Sequence, residues 1–367
     1  MMKKVIPFFL LILFTKNLFA QQPCNDDMIM NVKGKWVKKK DANMEGQTPQ
    51  IISRIDKMQQ LLQAAYPVPK GIEVKWHRSM KEYSLGAYFF TWYCNINEKK
   101  LSLSVENSDV FYIWINKLGW LAEKDNNLLV EDKPVYLLQK KVGEFKGYSL
   151  FEGEKFGKWE NTGIRYTCFI IITREGQSPY LPVTKKQYLK AYLNGIEKDM
   201  PKTLAIEENR AVRSDQQEED DKKKHLEYIE RSTPPDKVAK AKDLYLRSYT
   251  TDKQRREVVL NKLKKMFEKQ MKPARELLAA ITQEEGLQPA IVEGDHVSGF
   301  EKFSSDEKGG RRLVQLNPDY FNNKLPAYAP QFLVVYWMWD TQKPSLDFAK
   351  NIENNFNFKA LQLMLDK

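Results

Sequence analysis

Apolar residues recur at three- and four-residue spacing in one early stretch, Ile51, Ile52, Ile55, Met58, Leu61, Leu62 and Ala65, until Tyr66-Pro67-Val68-Pro69 breaks the run. That period predicts an amphipathic helix with a single buried stripe. The pattern then changes to short runs rich in aromatic and β-branched residues: Glu73–Trp76, Ala87–Ile96, Leu101–Val105, Val110–Ile115, Val135–Gln139, Tyr148–Phe151 and Ile164–Thr173. These read as strands, and the polar or Gly-containing stretches 95–100 and 152–158 read as hairpin connections. A helix laid over an antiparallel sheet is the expected result.

A helical zone follows. Thr184 and Gln187 fit a capping box, and Tyr188, Leu189, Tyr192, Leu193 and Ile196 make a buried stripe. Apolar residues nearly vanish from 207 to 224, so that stretch is a solvated helix or a linker, and we read 214–224 as linker. Pro234-Pro235 restarts a helix, and a further one runs from Asp252 to Lys272, with Pro273 kinking it or dividing it from Ala274–Ile281. Strand patterning returns at Val297–Phe303 and Arg311–Leu316, which flank a loop and suggest a hairpin. Phe332–Trp339 is an apolar run of central-strand length, and Leu346–Met364 predicts a closing helix weakened at Asn354-Asn355.

The fold class is therefore α+β: an N-terminal antiparallel sheet with a packed helix (21–180), a charge-rich helical segment (181–285) and a C-terminal hairpin, strand and helix (286–367). Residues 1–20 stand apart. Lys3 and Lys4, a short apolar run from Val5 to Phe14, and Ala20 before Gln21 have the order of a secretory signal peptide. This leader resembles those of exported Bacteroidetes proteins, in which glutamine often follows the cleaved alanine. The resemblance implies an address, periplasmic or extracellular, and nothing about activity. After its cleavage no segment is long and apolar enough for a transmembrane helix.

Three cysteines permit at most one intramolecular disulfide. Cys94 and Cys168 both follow apolar alternation, so they read as two buried thiols or as a Cys94–Cys168 bridge. The three histidines, His77, His225 and His296, are dispersed, and no helix-borne zinc motif, phosphate-binding loop or nucleotide fingerprint is present, so no cofactor is expected. The one compact polar cluster is Glu293-Gly294-Asp295-His296. It could serve general acid–base chemistry in a hydrolase of envelope polymers, with Glu293, Asp295 and His296 as candidates, although glycine and aspartate also suit an ordinary turn.

Charge changes the picture more. The chain carries a formal net charge of +11, three units of it in the leader, and between Arg231 and Arg275 fourteen Lys and Arg face five acidic residues. At 100° per residue Arg255, Lys262, Lys265, Lys269 and Lys272 share one arc of a helix, while Val259, Leu260, Leu263, Met266 and Phe267 share another. Such a basic face is either the wet side of a core-packed helix or a surface for anionic lipid, lipopolysaccharide or acidic glycan. A protein partner remains open, and an exported chain without a recognition module is a poor candidate for nucleic acid. The leading expectation is a non-enzymatic binding module, with the hydrolase as the alternative. Trp92, Tyr93, Tyr112, Trp114 and Trp120 either fill the sheet core or line a groove for sugar or peptide.

Overall fold

A computed structural model describes residues 24–42, 48–79, 81–95, 97, 100–152, 165–293 and 300–367. In chain order its elements are α1 (Asp26–Met30), β1 (Trp36–Lys38), α2 (Pro49–Ala65), β2 (Ile72–Ser79), β3 (Ser84–Asn95), β4 (Lys100–Leu103), β5 (Asp109–Ile115), β6 (Ala122–Val130), β7 (Lys133–Leu138), β8 (Lys140–Phe145), β9 (Tyr148–Glu152), β10 (Tyr166–Ile172) and β11 (Tyr180–Pro182). There follow α3 (Lys185–Glu208), α4 (Asp215–Ser232), α5 (Val238–Ser248), α6 (Asp252–Ala280), α7 (Gln283–Gly286), β12 (Ile291–Val292), β13 (Arg311–Leu316), β14 (Leu333–Trp339), α8 (Lys343–Asn355) and α9 (Phe358–Gln362). The class is α+β, as the alternation of patterns implies. The leader lies outside the described residues.

The chain forms two compact units and crosses between them more than once. The first comprises 1–123, 139–181 and 316–367, the second 124–138 and 182–315.

In the first unit the strands run β1-β2-β3-β5-β14-β10-β9-β8, with β4 paired to the far end of β3. These strands pair antiparallel throughout except β1 with β2. The C-terminal strand β14 therefore lies between β5 and β10, near the middle of a sheet begun by the N-terminal third. One face buries Leu85, Ala87 and Phe89 of β3, Phe111, Ile113 and Ile115 of β5, and Leu333, Val335 and Trp337 of β14. Against that face lie Ile55, Met58, Leu62 and Ala65 of α2 and Phe348 and Ile352 of α8, the two helical stripes the sheet requires. Thr48 caps α2 by accepting from the Ile51 N–H, with Pro49 in its first turn.

The closing helix is two pieces. Phe356 ends α8 and Asn357 caps α9 through the Ala360 N–H, so that Phe356 and Phe358 both reach the core. A continuous helix would turn these two rings 200° apart.

The cysteines differ from both sequence readings. Cys24 is bonded to Cys94, with Cα atoms 5.7 Å apart, and Cys168 is the free thiol. Cys94 is on β3 and Cys168 on β10, with β5 and β14 between them. Three inter-strand steps of about 4.8 Å already separate those strands by about 14 Å, and the register sets Cys168 level with Ala87 and not with Cys94, so the two are beyond disulfide reach.

The second unit builds its core from β6, β7, β12 and β13 together with α3 and α6. Val135, Leu137 and Leu313 meet Tyr188 and Leu189 of α3 and Phe267, Met271 and Ala274 of α6. The capping box at Thr184 and Gln187 forms as its residues imply. The 207–224 stretch is largely helical: α3 reaches Glu208, and α4 starts at Asp215 behind a Ser214/Gln217 capping box. Its charges are accommodated by ion pairs along and between helices instead of requiring a flexible tether. Pro273 neither ends nor divides α6, because the neighbouring Met271 and Ala274 are both buried in the core and hold the helix through the missing N–H. The expected partner of β13 is also different. Arg311 and Arg312 pair with Val292 and Ile291, while 300–303 is not a strand. The Ser304 N–H donates to the Ile291 carbonyl, closing a longer excursion than a simple hairpin.

Candidate functional site

Glu293 is exposed immediately after β12; Asp295 and His296 lie outside the described residues. Glu293 borders a shallow cleft of about 850 Å³ in the second unit, and so do Lys269 and Lys272 of α6, so the fold brings members of the two sequence-derived candidate sets to one depression. Among the described residues no group of three or more His, Cys, Asp or Glu could hold a metal ion.

The basic arc of α6 is real and uneven. Arg255, Lys262, Lys265, Lys269 and Lys272 are all exposed. Arg255 pairs with Asp252, and Lys272 lies 3.8 Å from Glu276. Lys262, Lys265 and Lys269 have no ion-pair partner among the described residues, although Arg275 nearby is held by Glu197 and Glu268, each at 3.2 Å. The apolar arc is only half used. Phe267 is buried and Leu263 packs on the core, but Val259 and Met266 are exposed, because the core reaches only the C-terminal half of the helix.

The first unit contains a feature that the sequence shows only in fragments. On the sheet face opposite α2 and α8, register aligns Gly86, Tyr112, Tyr336 and Phe169 in one row across β3, β5, β14 and β10, and Tyr88, Val110, Met338 and Thr167 in the next. All of these except Gly86 floor a cleft of about 850 Å³. Gly86 is required by the crowding there: a Cβ would stand 2.8 Å from Cε1 of Tyr112 and 2.9 Å from the His77 ring.

Trp120 stands on this floor. The turn before it puts Gly119 at φ +56°, pressed against the Trp114 indole. The Trp120 ring then lies 4.9 Å from Tyr112, 5.1 Å from Trp114 and 5.2 Å from Tyr336, at 64° to 89° to each. Such edge-to-face contacts fix its orientation, yet 52% of Trp120 remains exposed. Tyr88 and Tyr112 share a hydrogen bond between hydroxyls, and burial raises the Tyr112 and Tyr336 phenols well above their ordinary range, so both stay neutral. His77 stacks on Tyr88 at 5.4 Å, and burial with nearby Lys39 lowers its pKa.

Of the five aromatic residues singled out in the sequence, Tyr112 and Trp120 line this cleft and Trp114 flanks it on the same sheet face, stacked on Tyr112 and touching Trp120. Trp92 and Tyr93 face β4 instead, opposite Leu103 and Ser102. Arg165, Phe169, Tyr336 and Asn107 were missed. Strand alternation indicates which face each occupies, but no local signal indicates that β14 and β10 would stand beside β5.

No family model, curated protein or solved structure matches this chain.

Proposed function

We propose that this is an exported, non-catalytic binding protein that engages an anionic partner through the basic face of α6. Its carrying observation is the row of exposed ammonium groups at Lys262, Lys265 and Lys269, one helical turn apart and with no ion-pair partner among the described residues. Unpaired cations on a rigid helix raise the local concentration of polyanions without first having to break internal ion pairs. Anionic lipid, lipopolysaccharide and acidic glycan share the chemistry this face recognises. The export assignment draws support from the Cys24–Cys94 disulfide, since such bonds persist in oxidising compartments. No helix of the described residues is long and apolar enough to cross a membrane, so contact with lipid would be made from the surface.

The test is binding of the full mature chain to vesicles containing phosphatidylglycerol and, separately, to heparin, across a salt series. Binding should weaken steeply between low and physiological salt, and Lys262→Gln/Lys265→Gln/Lys269→Gln should reduce it about tenfold or more. Binding indifferent to salt, or unchanged in the triple variant, overturns the reading.

A further inference from the structure

We propose that the aromatic cleft of the first unit is a second, independent binding site, for a saccharide unit bearing a carboxylate. The argument begins with Arg165. It sits just before β10 on the same face as Thr167 and Phe169, and it lines the cleft. Its Nε is shielded from solvent and has no hydrogen-bond acceptor, and among the described residues no ion pair reaches its guanidinium. Two other partly buried arginines in this unit are neutralised: Arg78 is held by Asp41 and Asp56, each within 2.8 Å, and Arg174 by Asp366. A partly desolvated guanidinium without a counter-charge is costly, and an incoming carboxylate would remove that cost with two parallel N–H···O bonds.

The remaining walls specify the body that should carry the carboxylate. Trp120 presents a half-exposed indole above a floor of Tyr112, Tyr336 and Phe169, a setting suited to the C–H face of a pyranose ring. The rim adds the side-chain amides of Asn107 and Gln139, which have both donors and acceptors for ring hydroxyls. Gln139 is already oriented by its bond to the Trp120 carbonyl at 3.4 Å. Glu123, exposed at the rim, accepts hydroxyl protons and repels a second carboxylate, which favours orientations that direct the acidic group to Arg165. Few convergent polar groups around an aromatic concavity are the usual composition of a small-ligand site.

Calorimetric titration of the full mature chain with tetragalacturonate, with a neutral glucose tetrasaccharide, and with a short peptide ending in phenylalanine tests this. The acidic saccharide should bind about tenfold or more tightly than the neutral one. Arg165→Gln should abolish that preference, and Trp120→Ala should weaken both saccharides. Trp120→Phe, which keeps a ring and guards against a folding artefact, should retain a measurable part of the affinity. Binding should survive Lys262→Gln/Lys265→Gln/Lys269→Gln, so that failure here and failure of the α6 reading are told apart. Absence of saccharide binding, saccharide binding unaffected by Arg165→Gln and Trp120→Ala, or preference for the peptide overturns the proposal.

Discussion

The backbone N–H of Asp340 donates to Oδ1 of Asp109 at 3.3 Å, and both aspartates are completely shielded from solvent. Asp109 opens β5 and Asp340 follows β14, so the pairing of these two strands brings the carboxyl groups together. Burial, with the neighbouring charge of Asp340 adding to it, pushes the Asp109 carboxyl up to about 8, despite the hydrogen bond from the Asp340 backbone.

A carboxyl raised in the folded state stabilises the fold below its unfolded pKa, near 4, and that contribution is lost as pH rises through about 8. All eight tryptophans belong by sequence to the first unit, so indole fluorescence reports this unit selectively. The urea midpoint followed by fluorescence is therefore expected to fall from pH 4 to pH 8 and to level off above. Asp109→Asn should flatten the profile across that window; a slope equal to that of the parent chain would show that another group governs it.

Gly119 combines a left-handed φ of +56° with an approach to Trp114 that would leave a Cβ only 2.4 Å from Cδ2. Gly119→Ala should cost about 1–3 kcal/mol and displace Trp120 from its perpendicular seat. Near-UV circular dichroism and fluorescence-detected urea unfolding check the two effects separately. The expected result is a changed aromatic signal together with a lower midpoint.

Non-reducing peptide mapping should recover one linked pair, Cys24 with Cys94. Burial pushes the Cys168 thiol up to about 12, so alkylation of the native protein at pH 8 should leave it unmodified and alkylation in urea should label it. Reducing the disulfide releases a loop spanning 70 residues and should lower the stability of the first unit by about 2–4 kcal/mol.

In the second unit Arg213 bonds both carboxylate oxygens of Asp252, at 2.8 and 2.9 Å, and also Asp221 at 2.9 Å. The buried Glu218 accepts from the Asp252 N–H at 2.8 Å and from the Tyr249 hydroxyl, and these bonds hold its pKa below the ordinary carboxylate range. This network ties the start of α4 to the start of α6, where apolar burial is sparse: Ile229 is the buried apolar residue of α4, and α5 has none. Arg213→Ala should accelerate proteolysis between 209 and 256 several-fold while leaving the fluorescence-detected midpoint of the first unit unchanged. A shift in that midpoint would mean that the network supports more than its own helices.

Much of the fold was legible locally. The Thr184 capping box, the 3.6-residue stripe of α2 and the apolar run of β14 each encode their element in a few adjacent residues, because capping and amphipathic burial depend on near neighbours. Helix ends were less legible where packing intervened, as at Pro273 and at Phe356. The short edge strand β8 was missed altogether: it is exposed along most of its length and has little alternation for a pattern to register.

The candidate sites divide along the same line. The basic arc of α6 could be drawn from sequence because five positions on one helix have a fixed angular relation, whatever the rest of the chain does. The pairing of its two end cations is local as well, since Asp252 and Glu276 stand three and four residues from Arg255 and Lys272 on the same helix. The cleft could not be drawn, since its floor takes residues from four strands spread from 88 to 338. The sequence by itself determined most helices and strands and the location of the positive charge, although it read α4 as linker and joined α8 to α9. Only tertiary structure decided which strands adjoin, which cysteines meet, and that Arg165 would stand beside an aromatic floor with no counter-charge among the described residues. Strand order is set by the burial of whole faces at once, and no local period records it.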